Sequence, residues 1–452
     1  MHITVKQGLD IPILGGAHGS IQSIERPREV AFDFRHYDFC KFRVLVEVGS
    51  RVVIGQPLAE DKERPERKFV SPAAGTVVDI RRGEKRKLMN IVISVDSEEK
   101  ARSFQPFDVA RASRQELQSH LLEAGFFAHI RARPFSRLAD PVHPPRSIFV
   151  KAIESAPFVP SAEMQLEGNE EVFEYGLQAL QKLTQGSVHL VFREGSCISQ
   201  YGKGLQQHTV SGPHPSGNSS VHIHAIDPIK KNDEVVWTIS LLDVIAMGAF
   251  LQTGKFHLER IVALCGTSIT EEKRRFVRAR FGHSIAALVA GRIDDSKPCR
   301  LVSGDPLTGD SVEQADFLGV AHTTVVAIEE PNERQMLSFF RLGGDKYTAS
   351  GAYLSGHMNP RTHRWKFTTS QHGEERAFID GSVYERVVPM RILPVQLVRA
   401  IMAEDFEMAE LYGLLEVDAE DFALAEFVDP CKIPMMDIVR SGLTSYAKDI
   451  LG

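Results

Sequence analysis

The stretch Val48-Gly-Ser-Arg-Val-Val-Ile-Gly-Gln-Pro-Leu-Ala-Glu-Asp-Lys62 decides how the first part of the chain folds. The residues that lead into this stretch are apolar at every second position, namely Phe42, Val44, Val46 and Val48. Such alternation places their side chains on one face of a strand. Residues 49–50 and 55–57 supply turns, and short apolar runs recur at residues 69–70, 76–78 and 90–93. Short strands punctuated by glycine and proline predict a small β barrel or sandwich.

Composition excludes several classes of protein. The chain has 452 residues, enough for roughly three domains. It carries 53 Lys and Arg against 59 Asp and Glu, a net charge of −6. Its 43% hydrophobic and 25% charged residues are typical of globular proteins and exclude a disordered chain, a coiled coil or a collagen. Because no dense Lys/Arg tract is present, nucleic acid is not an expected partner.

Neither a membrane span nor a local metal motif is expected. The most apolar stretch, residues 244–251, is far shorter than the ~20 residues that a membrane-spanning helix needs. Residues 1–6 lack the basic and apolar regions of a secretory signal. The cysteines are scattered without a C-x-x-C motif, which predicts reduced thiols in a cytoplasmic protein: Cys40, Cys197, Cys265, Cys299 and Cys431.

Residues 42–80 resemble the biotinyl/lipoyl-type barrel-sandwich fold. Carriers of that type are modified on a lysine at a hairpin tip, and Lys62 lies near that place. The following segment, residues 63–68, is longer and more basic than a carrier tip. Two interpretations stay open: a carrier with a modified Lys62, and a structural module with an exposed charged hairpin.

Beyond residue 148 the pattern changes to strands alternating with helices, which predicts a sheet covered by helices in a Rossmann-like domain. The expected strands are residues 148–150, 188–192, 221–226 and 261–264. The expected helices are residues 168–183 and 233–251, the second capped by Asp233 and ending at Gly254.

The remaining chain predicts a compact α+β module followed by helices. The module, residues 275–330, is expected to contain a helix at 281–289 and strands at 299–303 and 323–328. The helices are expected at residues 394–403, 405–411, 418–426 and 434–446. Residues 418–421 load negative charge onto a helix start, as the helix dipole favours.

No nucleotide-binding motif accompanies the expected Rossmann-like fold. A dinucleotide fingerprint needs glycines that bring the backbone against a pyrophosphate, and neither G-x-G-x-x-G nor a P-loop occurs in the sequence. The nearest glycine cluster, at residues 195–204, has the wrong spacing. We therefore expect no nucleotide bound in the usual mode.

The motif Gly212-Pro-His-Pro-Ser-Gly217, followed closely by His222 and His224, is the first candidate site. On a strand, the H-x-H spacing would place both rings on one face, where with His214 they could ligate a metal. The alternative is a rigid loop, stiffened by Pro213 and Pro215, that positions His214 against a neighbouring domain or subunit. We favour the rigid loop and predict no metal.

The second candidate site is Arg131-Ala-Arg-Pro-Phe135. On an extended strand, Arg131 and Arg133 share a face and could bind an anion or a carboxylate bidentately. Equally, an aromatic side chain of the longer stretch 125–136 could anchor a domain junction while the arginines stay solvated. No Ser-His-Asp or Cys-His arrangement can be read from the sequence, so no catalytic residue is predicted.

Seven segments occur in a characteristic order: residues 3–12, the barrel-sandwich stretch to residue 86, and residues 131–136, 212–224, 236–246, 303–309 and 384–389. In this order, and over essentially its full length, the chain resembles the NqrA family, whose members are subunits of the Na⁺-translocating NADH:quinone reductase, the Nqr complex. That family is similar to the flavin-binding subunit of respiratory complex I and to the C subunit of Rnf complexes.

The resemblance implies an α/β and α+β multidomain fold. The implied domains are a β domain with the biotinyl-like barrel-sandwich at residues 1–100, a Rossmann-like domain at 101–256, an SLBB-type β-grasp module at 257–330, and a connecting segment with a helical domain at 331–452.

The resemblance also implies partners and a location. The implied protein lies on the cytoplasmic face of a bacterial inner membrane and binds other Nqr subunits, including integral membrane ones. NADH, flavins and iron–sulfur centres belong to other subunits, and ubiquinone is the candidate ligand of this one. The residues expected to contact quinone or a partner are Arg131, Arg133, Phe135, Gly212, Pro213, His214, His222 and His224.

Departures from the relatives point away from a redox group in this chain. Where the complex I subunit has a glycine-rich flavin loop, this chain has bulky Phe126, Phe127 and Ile130, which obstruct a flavin phosphate. Where relatives cluster cysteines, only Cys431 remains, and one thiolate cannot hold a four-cysteine cluster. We expect a docking and quinone-handling subunit without its own redox centre. The alternatives are an independent flavin-dependent NADH oxidoreductase and an Rnf-type electron-transfer subunit.

Overall fold

The computed structural model describes residues 1–294, 296–331, 342–351, 353–360, 362–373, 376–378 and 380–451. The strands, numbered along the chain, are β1 (His2–Thr4), β2 (Gln22–Ser23), β3 (Glu29–Asp33), β4 (Phe42–Val44), β5 (Arg51–Val52), β6 (Pro57–Asp61), β7 (Lys68–Val70), β8 (Gly75–Arg82), β9 (Leu88–Val95), β10 (Arg131–Arg133), β11 (Arg137–Leu138), β12 (Ser147–Ala152), β13 (Ser187–Arg193), β14 (Gln206–Ser211), β15 (Val236–Ser240), β16 (Glu259–Cys265), β17 (Phe276–Arg280), β18 (Cys299–Ser303), β19 (Asp310–Val312) and β20 (Thr324–Glu329).

The α-helices are α1 (Arg114–Glu123), α2 (Ala162–Leu166), α3 (Glu170–Leu183), α4 (Ser219–Ile226), α5 (Leu241–Thr253), α6 (Ile285–Val289), α7 (Ser355–Met358), α8 (Ser382–Glu385), α9 (Pro394–Met402), α10 (Phe406–Leu411), α11 (Ala423–Val428) and α12 (Met435–Leu451).

The β-rich first part of the chain is a pair of small antiparallel sheets, ordered β3-β9-β8-β5 and β4-β6-β7. An aromatic core packs between them, in which Phe32, Phe34 and Phe69 are buried and the rings of Phe32 and Phe69 meet edge to face at 6.0 Å. The predicted small barrel or sandwich is confirmed. The first strands lie elsewhere, since β1 pairs with β14 and β2 with β17.

The α/β domain is built on a seven-stranded sheet ordered β1-β14-β13-β12-β15-β10-β11. Its first five strands run parallel, and β10 and β11 are antiparallel additions. Side chains alternate between the two faces of a strand, so Ile148 and Val150 of β12 join the core under α1, α3 and α5, whereas Phe149 joins the core shared with the C-terminal helices. The sheet is therefore covered on both faces.

The third sheet has the order β19-β18-β20-β16-β17-β2. Its core contains Val262, Leu264, Val277 and Leu301, and α6 packs on it through Ile285. The C-terminal helices α8–α12 pack together and against β1 and α4 in one continuous core.

Three expected elements differ from the structure. Residues 221–226 lie in α4 and not in the expected strand. The single helix expected at residues 233–251, capped by Asp233, is wrong, because β15 comes first and α5 begins after Ser240, whose hydroxyl accepts from the Asp243 N–H at 3.2 Å. Residues 281–289 contain only the short α6, because a strand and a turn precede it.

Candidate functional site

A cleft of about 440 Å³ lies where the barrel-sandwich, the α/β sheet, the third sheet and α12 meet. Its lining includes His36 from the first part of the chain, Ser155 and His214 from the α/β domain, His322 from the third sheet and Met436 from α12. A ligand in this cleft would therefore contact four parts of the fold at once.

The cleft opens at the carboxyl ends of parallel strands. Glu154 and Ser155 follow β12, Leu241 and Asp243 follow β15, and all four line the cleft. From β12 the chain runs to β13 on one side, whereas β15 pairs with the other side of β12. The strand order therefore reverses between β12 and β15, and open α/β sheets bind ligands at such a reversal.

Arg131 and Arg133 both line the cleft from β10, as an extended strand requires. The Arg131 guanidinium donates to the His36 carbonyl at 2.9 Å and lies 5.0 Å from the centre of the Tyr37 ring. Arg131 is thus held by the neighbouring domain.

Arg133 is a buried cation with unused donors. Its side chain is 2% exposed, and Nη1 donates to Ser220 Oγ at 2.8 Å and lies 3.9 Å from Asp418 Oδ2. Within the described ranges of the chain, its buried Nε and Nη2 have no hydrogen-bond partner. Burial raises the pKa of Asp421, and the positive charge of Arg133 partly offsets this rise. Two donors of Arg133, a residue that lines the cleft, are therefore buried and unpartnered among the described residues.

Phe135 lines the cleft wall and packs into the shared core. It is buried, and its ring meets the ring of Tyr446 on α12 edge to face at 6.0 Å. This is the contact that the aromatic-anchor interpretation describes, but its expectation of solvated arginines is wrong for Arg133, which is buried.

His214 is held rigidly at the edge of the cleft. Its N–H donates to Asp10 Oδ1 at 2.9 Å, and its carbonyl accepts from the Leu9 N–H at 2.8 Å. Its Nδ1 lies 3.0 Å from Ser155 Oγ, which also accepts from the Gly217 N–H at 2.8 Å. We assign the Ser155 hydroxyl proton to Nδ1, which leaves the ring proton on Nε2.

The other imidazole nitrogen of His214 has no partner among the residues that the structure describes. Nε2 is buried and makes no hydrogen bond to any of them, although His214 lines the cleft. Burial lowers the pKa of His214 to about 4, so the ring is neutral at pH 7. A neutral ring with an unused N–H is a hydrogen-bond donor for an uncharged acceptor.

The other four predicted residues lie outside the cleft lining. Gly212 and Pro213 shape the loop, and a Cβ on Gly212 would come within 2.1 Å of the Val5 carbonyl. His222 donates through Nε2 to the Ser216 carbonyl at 2.8 Å. His224 contacts Glu416 at 2.5 Å and accepts from the Arg391 N–H at 3.1 Å.

The strand geometry on which the metal interpretation of these histidines relied is not found at residues 222–224. That interpretation required a strand that places both rings of the H-x-H motif on one face, but both residues lie on α4, where positions two apart diverge. The rings of His214, His222 and His224 form separate hydrogen bonds to Ser155, Ser216 and Glu416. Each histidine therefore positions a loop or helix.

Sequence reasoning missed Lys151 and Glu420, which also line the cleft. Burial alone would lower the pKa of Lys151, but Glu154, with Oε2 3.0 Å from Nζ, and Glu420 raise it overall. Burial raises the pKa of Glu420. The available signal for Lys151 was a lysine one residue before the end of a buried parallel strand.

Three family models match the chain in sequence order. They are the NqrA N-terminal barrel-sandwich hybrid domain at residues 3–96, the NqrA second alpha/beta domain at residues 112–256, and the NQRA C-terminal domain at residues 261–314. A relative from Chlamydia pneumoniae, which bears the name of the A subunit of Na(+)-translocating NADH-quinone reductase, is 37% identical and covers 99% of this chain and 98% of its own. The chain belongs to the NqrA family.

Two further NqrA relatives show the same extent of similarity. One from Saccharophagus degradans is 36% identical over 99% of this chain and 100% of its own, and one from Rhodopirellula baltica is 37% identical over 98% of each. Both have the name of the first relative. The family resemblance of the seven ordered segments is confirmed. Among the described residues, no helix is long and apolar enough to cross a membrane.

Proposed function

We propose that this chain is the NqrA component of a Na⁺-translocating NADH-quinone reductase and binds quinone in the cleft, without a redox group of its own. It lies on the cytoplasmic face of the inner membrane, bound to the other Nqr subunits, and reaches the membrane through the integral ones. Full-length similarity to proteins of that name supports the assembly.

The observation that carries quinone binding is the buried Nε2 of His214, which has no hydrogen-bond partner in the described part of the chain and carries the ring proton in the tautomer assigned above. A buried donor without a partner costs about 1–3 kcal/mol, which a ligand acceptor would recover. A quinone offers two carbonyl acceptors on a planar apolar ring. His214 would donate to one carbonyl and Arg133, through Nη2, to the other.

Several apolar side chains in the lining suit the ring of a quinone. Ligand sites combine mostly apolar walls with a few polar groups that fix orientation. The apolar side chains around the cleft are Phe39, Phe135, Val159, Leu241, Leu242, Val320, Met436 and Leu443. These groups would contact the quinone ring and the first part of its tail.

Packing of the loop before β10 supports the absence of flavin. Phe126, Phe127 and Ile130 are buried, and Phe127 meets Trp237 edge to face at 5.8 Å. Bulky side chains in this loop would obstruct the close approach to the backbone that a flavin phosphate needs. The alternative of a flavin-dependent NADH oxidoreductase predicts a yellow purified chain, and a colourless one rejects it.

The hairpin after Lys62 supports the structural interpretation of the barrel-sandwich. Lys62 is exposed, but Arg64 binds Asp140 at 2.9 Å and Arg67 donates to the Ala139 carbonyl at 2.7 Å. A hairpin held on the α/β domain cannot swing as a carrier tip does. An intact mass equal to that of the unmodified sequence would reject the carrier.

Sheet topology supports a finer division into domains. Strands β14, β13, β12 and β15 have the 3-2-1-4 order of half a doubly wound sheet, which supports a Rossmann-like domain at residues 101–256. The mixed third sheet with α6 supports the β-grasp module of the SLBB type at 257–330. The first region, residues 1–100, with the barrel-sandwich formed by β3 to β9, and the helical region at 331–452 complete the proposed division.

Titration with a short-chain ubiquinone tests the proposal. In calorimetry on the purified full chain, His214→Phe keeps a ring and removes the donor, so we expect about tenfold weaker binding, the equivalent of one lost hydrogen bond. His357→Ala, an exposed histidine outside the cleft lining, should bind as the unaltered chain does. Equal affinity of His214→Phe and the unaltered chain would contradict the proposal.

A further inference from the structure

Three side chains from distant segments meet between the barrel-sandwich and the third sheet. His36 follows β3, Asp310 begins β19, and His322 precedes β20. One nitrogen or oxygen of each lies within 4.8 Å of the others. His36 Nε2 is 2.7 Å from Asp310 Oδ2, and the centres of the two histidine rings are 5.4 Å apart.

We propose that His36, Asp310 and His322 bind a divalent transition-metal ion such as Zn²⁺ or Fe²⁺. Imidazole nitrogen and carboxylate oxygen are ligands that these ions prefer, and two histidines with one carboxylate leave coordination positions open. At Zn–ligand distances of about 2.0–2.2 Å, the ligand atoms of a tetrahedral ion lie roughly 3.4 Å apart. Small side-chain rotations would therefore bring the three groups onto one ion.

The His322 ring is oriented by a hydrogen bond behind it. Its Nδ1 lies 2.9 Å from Ser303 Oγ, and this buried hydroxyl also accepts from the Gly319 N–H at 3.0 Å. Metal-binding histidines characteristically donate their second ring N–H to such a partner, which fixes the ring and leaves the other nitrogen for the ion. With Nδ1 held by Ser303, Nε2 of His322 is the ligand atom.

The nearest cation does not prevent binding. Arg35 Nη2 lies 3.6 Å from Asp310 Oδ2, but the same guanidinium binds Asp33, with Nη2 and Nε at 2.6 and 3.0 Å from its carboxylate oxygens. The Asp33 charge compensates that of Arg35. The Asp310 carboxylate is thus left as the net negative charge that attracts a cation.

Other histidine–carboxylate contacts lack a third ligand. His129 lies 2.9 Å from Asp243 and His143 lies 3.1 Å from Asp140, yet neither belongs to a group of three metal-binding side chains in the described part of the chain. Such pairs are ordinary hydrogen bonds. The third ligand therefore distinguishes the proposed site from them.

An ion at this site would have two consequences. Because His36 belongs to the first part of the chain and His322 to the third sheet, the ion would join two separate modules. His36 and His322 also line the cleft, so the open coordination positions would be reachable from it. The site stands independently of quinone binding, since it shares none of the donors assigned to quinone.

Metal titration of the chelator-treated full chain tests the proposal. Co²⁺ reports binding through its visible absorption, and Zn²⁺ should displace it. We expect one equivalent to bind, and at least tenfold weaker binding in His36→Gln and Asp310→Asn, each of which removes one ligand. His143→Ala, which removes a histidine from a two-member pair, should bind Co²⁺ as the unaltered chain does.

The hydrogen bond behind His322 gives a further readout. Ser303→Ala removes the partner of His322 and should weaken Co²⁺ binding about tenfold, as loss of such partners does elsewhere. Circular dichroism without metal will show that each variant is folded, and His36→Gln changes a partly exposed side chain. Equal Co²⁺ affinity in the unaltered chain and folded His36→Gln, or no Co²⁺ binding by either, would overturn the proposal.

Discussion

Ser155 Oγ and His214 Nδ1 lie 3.0 Å apart, although 59 residues separate them in the chain. Ser155 follows β12 and His214 follows β14, two strands that are not neighbours in the sheet. Their hydrogen bond crosses the carboxyl edge of the sheet and orients the imidazole whose Nε2 is assigned to the quinone. The orientation of the donor thus depends on a second side chain.

Replacing Ser155 should therefore weaken quinone binding without touching the donor itself. In Ser155→Ala, the ring of His214 loses the partner of Nδ1, and its proton can move to either nitrogen. We expect a fivefold to tenfold higher Kd for a short-chain ubiquinone, corresponding to about 1 kcal/mol. Calorimetric titration of the variant measures it.

Ser199→Ala is the matched control for that change. Its hydroxyl donates to a local carbonyl at 2.9 Å and lies outside the cleft lining. The quinone Kd of this variant should equal that of the unaltered chain. An unchanged Kd in Ser155→Ala as well would remove the orienting role from Ser155.

Buried histidines predict a loss of stability in mild acid. His222 is 1% exposed, and burial lowers its pKa to about 4, whereas an unfolded chain has a histidine pKa near 6.5. Between these values the unfolded chain binds more protons, so the free energy of unfolding falls as the pH decreases, by at most about 3 kcal/mol for this group. Urea denaturation at pH 7 and pH 5 measures the loss.

His222→Gln separates this residue from the other buried histidines. The glutamine cannot titrate but can still donate to the Ser216 carbonyl. Its free energy of unfolding should fall less between pH 7 and pH 5 than that of the unaltered chain. Identical losses in both proteins would show that His222 does not contribute.

His224 should stabilise the contact between α4 and the C-terminal helices. It accepts from the Arg391 N–H and donates to Glu416. We expect His224→Ala to lower the free energy of unfolding by about 1–2 kcal/mol, as the loss of two partly buried hydrogen bonds implies. Arg391→Ala keeps its backbone N–H and should change stability little. If both variants are equally stable in urea, the contact contributes nothing.

Close packing of α3 on α5 should make Gly248 intolerant of substitution. A Cβ there would lie 1.8 Å from the Val172 carbonyl oxygen. Alanine ordinarily favours a helix by about 1 kcal/mol over glycine, but here the helices must separate. We expect Gly248→Ala to lower the free energy of unfolding by about 1–3 kcal/mol. Gly344→Ala is the control: its Cβ meets nothing within 4 Å, so it should not lower the free energy of unfolding. Greater stability of Gly248→Ala would contradict this packing.

Helices and strands whose apolar residues recur with one clear spacing were predictable from the sequence. The apolar residues of β12 and β13 indicate buried strands, and Gly254 ends α5 in a left-handed conformation with φ of 70°. The strand expected at residues 221–226 was wrong because α4 is short and its histidines alternate with apolar residues, a pattern that is also typical of a strand. Ser240, followed three residues later by Asp243, was a stronger signal for the start of α5 than Asp233 was. The apolar residues before Ser240 belong to β15.

The candidate sites were less accessible to sequence reasoning. Arg131, Arg133, Phe135 and His214 were predicted and line the cleft, because they stand in two compact motifs. His36 and Asp310 are 274 residues apart, so no spacing could connect them. Lys151 and Glu420 meet only because α11 and the turn before it fold against the sheet edge.

The most direct test of quinone binding uses the assembled complex. A quinone analogue is photo-crosslinked to it, and the labelled peptides are then mapped. We predict labels in this chain on peptides that contain residues 131–136, 151–160 and 214–220, and competition by unlabelled ubiquinone. His214→Phe should reduce the labelling, and His357→Ala should not. Labels confined to other subunits would contradict quinone binding by this chain.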